Sequence, residues 1–211
     1  MFDWLKKRKQ AATTEPAAPE LIGLRLGGAF ELDDLKLRLT EPSLMIEGAA
    51  RTQLIQAVGE VWLDEQTRLL RYYTDDEGFV QVLTHGAGDA DVSEVKLFYF
   101  YDSKPVDTDS EWQHLLDKGI VKGQWQLEDF TYQQVWENSR PVAMTEKTWL
   151  QNGTASSTDQ FVMVYERDAE AGMKEVLLVS AEEKIFNNRA ERSLVLSTGF
   201  DLSPTDFKLI G

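Results

Sequence analysis

From Leu21 onward, apolar side chains recur at every second position far more often than at every third or fourth, the period of half-buried strands rather than of helices. Ile55, Ala57, Gly59, Val61 and Leu63 alternate with polar or second-face residues, and Asp64-Glu65-Gln66 supplies a turn. Thr67 to Thr74 then returns as the other arm of a hairpin. Asp75-Asp76-Glu77-Gly78 makes the next reversal, with Gly78 free to take positive φ, and Phe79 to Thr84 follows as a third strand. A glycine-rich loop, Gly86 to Asp91, leads to the run Glu94 to Tyr101. There Phe98-Tyr99-Phe100-Tyr101 puts apolar residues on both faces, which predicts a central strand covered on both sides.

The spacing predicts one helix, about ten residues long, over Asp109 to Lys118. Thr108-Asp-Ser-Glu111 has the capping-box spacing, Trp112, Leu115 and Leu116 share a face, and Gly119 is placed for a left-handed C-terminal cap. Alternation resumes over Gly123 to Glu137, and Val142 to Gln151 ends in the turn dipeptide Asn152-Gly153. Gln160 to Arg167, Lys174 to Ala181 and Arg192 to Gly199 continue the series. The count is about nine strands and one helix, joined by connections too short for parallel crossovers. The fold class is therefore mostly β, α+β at the margin, built of antiparallel sheets or meanders. The helix leaves room for two subdomains meeting near 103–122 within a β-rich domain 21–211.

Composition narrows the chemistry. With 211 residues, 42% of them hydrophobic, and six Trp, six Tyr and ten Phe, the chain can bury a sizeable core. There is no cysteine, which excludes disulfides and thiolate metal sites, and His85 and His114 are the only imidazoles. Phosphate loops, dinucleotide-binding glycine motifs and nucleophile elbows do not occur, and no cofactor is implied. The formal charge is −14, yet residues 1 to 10 carry Lys6, Lys7, Arg8 and Lys9 against Asp3, a net +3 that leaves −17 on the rest. Such a body repels phosphate, so nucleic acid is not an expected partner.

Residues 1–20 read as a basic tail and an Ala/Pro linker that cannot bury enough apolar surface to order itself. Phe2, Trp4 and Leu5 beside the basic cluster Lys6, Lys7, Arg8 and Lys9 give a tail suited to weak contact with an anionic membrane or with a protein partner. Neither a signal peptide nor a membrane span is evident, which places the protein in the cytoplasm, with peripheral contact at the inner membrane through this tail.

Gly23-Leu-Arg-Leu-Gly-Gly-Ala-Phe-Glu-Leu-Asp33, Arg71-Tyr-Tyr-Thr-Asp-Asp76, Leu177-Leu-Val-Ser-Ala-Glu-Glu183 and Gly199-Phe-Asp-Leu202 resemble segments of the YjfK-like family of uncharacterised bacterial proteins. The resemblance implies no activity and carries no catalytic residue. It implies an accessory role at the envelope, beside a coiled-coil membrane-stress protein similar to phage-shock protein A.

Two polar clusters are candidates for chemistry. His85, Asp89 and Asp91 lie on one loop with Ser93 and Glu94 and could hold a hard cation or supply acid and base groups. As a calcium loop the segment fails, because Glu94 stands where glycine is needed and the twelfth position from Asp89 is Phe100. A solvated acidic turn accounts for it. Asp102, Asp107, Asp109 and Glu111 form the second group, which helix capping explains, and His114 falls off the apolar stripe. The leading expectation is a non-enzymatic interaction or accessory module whose acidic surface meets a partner protein. Two alternatives stay open: a metal-assisted or hydrolytic enzyme using His85, Asp89 and Asp91, and a small-ligand binder with a pocket between sheets.

Overall fold

The computed structural model describes residues 17–46, 48–203 and 205–210, so the tail residues Phe2, Trp4, Leu5, Lys6, Lys7, Arg8 and Lys9 lie outside the described residues. Every run that alternates in the sequence is a strand. In chain order the elements are β1 (Ala29–Leu32), α1 (Asp34–Thr40), β2 (Thr52–Trp62), β3 (Arg68–Thr74), β4 (Gly78–Thr84) and β5 (Val92–Pro105). Then come α2 (Asp109–His114), β6 (Gln124–Leu127), β7 (Phe130–Gln134), β8 (Val142–Leu150), β9 (Ala155–Asp168), β10 (Lys174–Phe186), β11 (Arg189–Asp201) and β12 (Phe207–Ile210).

The strands number twelve among the described residues, not nine, and there are two short helices, not one. The run 123–137 is two strands, because Glu128 takes a left-handed φ of 47° and folds it into the β6–β7 hairpin. β1 and β12 are four residues each and pair with one another from opposite ends of the chain, so neither is long enough to show a period by itself. In the Asp75–Gly78 reversal it is Glu77 that takes positive φ, at 51°. Gly78 serves close approach instead: a Cβ there would lie 2.5 Å from the Phe98 carbonyl oxygen. Thr108 caps α2 as expected, accepting from Glu111 N at 3.2 Å. The helix then widens into a π turn, Leu115–Gly119, so Gly119 is not a left-handed cap.

All pairings are antiparallel, and β8 bonds both β2 and β9. That double pairing closes the ring β2-β3-β4-β5-β11-β10-β9-β8 into an eight-stranded barrel. Strands from both sides of 103–122 share this barrel, and the segment serves as the link from β5 to β6. Directly opposed residues run Arg167, Glu175, Phe200, Leu97, Val80, Tyr72, Val58, Trp149 and return to β9 at Ala155, twelve residues from the start. A slip of roughly 40 Å around a girth of about 38 Å tilts the strands by about 45°, the steep end of closed barrels.

Two layers cover the outside. Leu21, Leu24, Phe30, Leu32 and Leu37 pack over Val58, Leu70, Tyr72, Val80, Leu97 and Phe200. Trp112, Ile120, Trp125, Leu127 and Tyr132 pack over Met163, Tyr165, Leu177, Val179 and Leu196. The layers are joined by Glu175, which accepts from Arg167 Nη2 at 2.6 Å, Tyr132 Oη at 2.7 Å and the Met45 amide at 2.6 Å. The covering explains why β10 is apolar on both faces. β5 fits the same expectation only in part: Leu97 faces outward and Phe98 inward, both buried, but Phe100 and Tyr101 are 44% and 37% exposed. The strand is fourteen residues long and outruns its cover, and Tyr101 is left unopposed in a bulge between partners of Ser197 and Leu196.

Candidate functional site

Alternation assigns residues to two faces, and cross-barrel contacts decide which face is inside. Phe79 and Phe98, from β4 and β5, cluster with Val162, Val176 and Leu178 from β9 and β10 on the far wall. Arg71 of β3 bonds Gln160 of β9, although β2 and β8 stand between those strands. These contacts can form only through the barrel interior.

The interior has two halves. One is filled by aromatic rings: Phe79 stacks on Phe98 at 5.1 Å, with Tyr73 5.3 Å and Phe100 5.6 Å from Phe79. The other half is a cavity of about 610 Å³, walled by Leu69, Met144, Val162, Val164 and Leu178. Trp62, Leu63 and the segment that carries Val135, Trp136 and Asn138 border its mouth. Glu94 and Glu166 line it near the rim, where they pair with Lys96 and Lys174, each at 2.8 Å.

Arg71 and Gln81 line the inner end. The Arg71 side chain is 3% exposed and donates from Nη1 to Glu146 Oε2 at 2.5 Å and to Gln160 Oε1 at 2.7 Å. Glu146 also accepts from Tyr73 at 2.7 Å, Thr148 at 3.1 Å and Gln160 Nε2 at 3.2 Å, which saturates its carboxylate. Gly59 makes room for this group, since a Cβ there would fall 2.0 Å from Glu146 Oε1. Burial acts to lower the Arg71 pKa, but the Glu146 charge and Tyr73 override it and hold the guanidinium above its ordinary value. Burial raises the Tyr73 hydroxyl well above its usual range, and Glu146 adds to the shift. Glu182 is raised as well, by burial first, with Arg71 opposing and Glu146 reinforcing.

Arg71 Nε donates to Gln81 at 3.0 Å. A guanidinium has no acceptor, so the Gln81 atom in that bond is its oxygen and the amide nitrogen is left as a donor. Among the described residues, Arg71 Nη2 and the Gln81 amide are thus the two donors at the inner end without a hydrogen-bond acceptor of their own, with the Tyr73 hydroxyl beside the guanidinium.

The loop of His85, Asp89 and Asp91 joins β4 to β5 at the mouth end of the barrel, yet none of the three lines the cavity. Each has turned to a different partner. His85 Nδ1 meets Thr67 Oγ1 at 3.1 Å, Asp89 accepts from the Ile22 amide at 2.7 Å, and Asp91 accepts from the Gly88 amide at 2.9 Å. Among the described residues no group of three His, Asp or Glu is placed to hold a metal ion. The second acidic group is likewise dispersed, with Asp102 paired to Lys104 at 2.9 Å and Asp109 to Arg192 at 2.5 Å. His114 and Ser110 border a separate groove of about 430 Å³.

Sequence reasoning missed Arg71, Gln81, Glu146 and Gln160. A signal was present: Leu69, Arg71 and Tyr73 share a face, and Arg71 stands opposite Gly59, a glycine in the middle of a strand.

Fold and site together define an eight-stranded antiparallel barrel with a cavity in its interior, an architecture whose bore can hold one small molecule. The chain belongs to DUF2491, a family of proteins of unknown function whose profile matches residues 1–208. It is 31% identical over 199 residues to the uncharacterised protein YjfK of Escherichia coli (strain K12), a match that covers 90% of each chain. No solved structure matches the chain. No helix among the described residues is long and apolar enough to cross a membrane.

Proposed function

We propose that the protein is a non-catalytic small-ligand binder that holds an apolar molecule inside its barrel. The observation that carries this reading is the cavity of about 610 Å³ on the inner face. Its size falls within the roughly 300–1,000 Å³ of small-molecule sites, and it has their make-up, apolar walls with a few convergent polar groups. The aromatic half shows that these strands can fill the bore with side chains, and the other half is left open. The charged groups are committed to one another: Arg71 to Glu146, Glu94 to Lys96, and Glu166 to Lys174. Such pairing suits recognition better than proton transfer.

The neutral dye N-phenyl-1-naphthylamine, whose emission rises in apolar surroundings, tests the reading. Wild-type protein is expected to enhance its emission, and Leu69→Trp, which fills the cavity from a half-buried wall position, is expected to abolish the enhancement without lowering the melting temperature. Equal enhancement by both proteins would refute it. That result would leave the accessory-module reading, with its tail-borne membrane contact and coiled-coil partner. Ile185 and Phe186, 65% and 56% exposed at the tip of the β10–β11 hairpin, favour that second reading.

A further inference from the structure

We infer that the ligand is an uncharged, largely apolar molecule bearing a carbonyl-type acceptor, whose oxygen sits between Arg71 Nη2 and the Gln81 amide nitrogen. This inference rests on reading the cavity as a ligand site and specifies which end of the ligand enters first.

The inner end offers two donors without an acceptor, whereas each amide and carboxylate oxygen there already takes at least one hydrogen bond. The Glu146 carboxylate is saturated by Arg71, Tyr73, Thr148 and Gln160, and the Gln81 and Gln160 side-chain oxygens both accept from Arg71. A ligand group that only donates would have to share an oxygen already engaged by Arg71, whereas an oxygen acceptor meets two donors. A buried donor that stays unpaired costs free energy, so a matching acceptor adds affinity and fixes orientation.

Charge decides between a carbonyl and a carboxylate. Among the described residues the cation at the inner end is Arg71, which already has its counter-charge in Glu146 at 2.5 Å, with both side chains 3% exposed or less. A ligand carboxylate would therefore bring an uncompensated charge into a buried place. Glu182, held to the same network through Gln160 Nε2 at 3.3 Å, already has its proton affinity raised there, by burial and by the Glu146 charge. The entrance repels anions too: Glu94, Glu166 and Asp201 share only Lys96 and Lys174.

Displacement of the bound dye from the full-length protein at pH 8 by 2-octanone, octanoate and octane separates the possibilities. The ketone is expected to bind at least tenfold more tightly than octanoate. Gln81→Glu keeps the acceptor for Arg71 Nε, removes the amide donor and leaves the Arg71–Glu146 pair in place; an unchanged far-ultraviolet circular dichroism spectrum and octane affinity check that the added carboxylate leaves the barrel intact. The substitution should weaken 2-octanone about tenfold and leave octane unchanged. Octanoate binding as tightly as the ketone, or an unchanged ketone affinity in Gln81→Glu, would overturn the inference while leaving an apolar ligand site intact. If neither the dye nor any of the three compounds binds, the ligand-site reading itself falls.

Discussion

Removing one partner of the Arg71–Glu146 pair exposes how the barrel interior is balanced. Arg71→Met deletes three hydrogen bonds, to Glu146 at 2.5 Å, Gln160 at 2.7 Å and Gln81 at 3.0 Å, and leaves Glu146 with its neutral donors but no cation. Glu146 is 1% exposed, so no solvent reaches it to replace the lost charge. A buried charge stripped of its partner costs about 3–5 kcal/mol. Glu146→Leu should cost about as much from the other side, because a guanidinium does not shed its proton to escape burial. The double variant Arg71→Met/Glu146→Leu replaces the pair by apolar side chains of similar volume and should return to within about 1–2 kcal/mol of wild type. Urea unfolding at pH 7, followed by tryptophan fluorescence and far-ultraviolet circular dichroism, measures all four corners of the cycle. The slopes should agree, so that midpoints report stability alone. Coupling between the two positions should then be at least about 3 kcal/mol. Single variants that each cost below about 1 kcal/mol, or a double variant as unstable as the sum of the singles, would show that the pair is not enclosed as described.

The two aromatic positions of β5 should separate in stability. Phe98→Ala, at 1% exposure against Phe79 and the far wall, is expected to cost about 3–5 kcal/mol, and Phe100→Ala, 44% exposed, below about 1.5 kcal/mol. Equal losses in urea unfolding would contradict the difference in burial between the two rings. Glu182 gives the pH dependence: its pKa is raised in the folded state, so the stability linked to it is present below the ordinary carboxylate value of about 4.3 and lost as pH rises through the folded value. Glu182→Gln should therefore melt above wild type at pH 8 by a margin that shrinks toward pH 4. A margin that stays constant or grows on acidification would refute the assignment.

Local order was open to reading in the chain itself. The runs Ile55–Leu63 and Thr67–Thr74 form β2 and β3 because alternation and the Asp64-Glu65-Gln66 turn act over neighbouring residues, and Asn152-Gly153 turns β8 into β9 for the same reason. Short connections made the hairpin pairings antiparallel, whereas β2 with β8, β5 with β11 and β1 with β12 pair across long stretches of chain. Alternation states which residues share a face, but it is silent on which face turns inward, so Arg71 beside Leu69 and Tyr73 and opposite Gly59 hinted at a special position without placing it inside. The inward face is set by closure, and closure rests on β8 bridging β2 and β9, a pairing fixed by the summed registers of eight strands. Closure also brings Arg71 to Glu146 and Gln160, 75 and 89 residues away along the chain. His85, Asp89 and Asp91 are the converse case. They are close in sequence and rich in reactive atoms, yet the geometry of their turn sends each to its own partner. Proximity along the chain sets turns and strands, whereas a site inside a barrel is assembled from residues that only the folded wall brings within bonding distance.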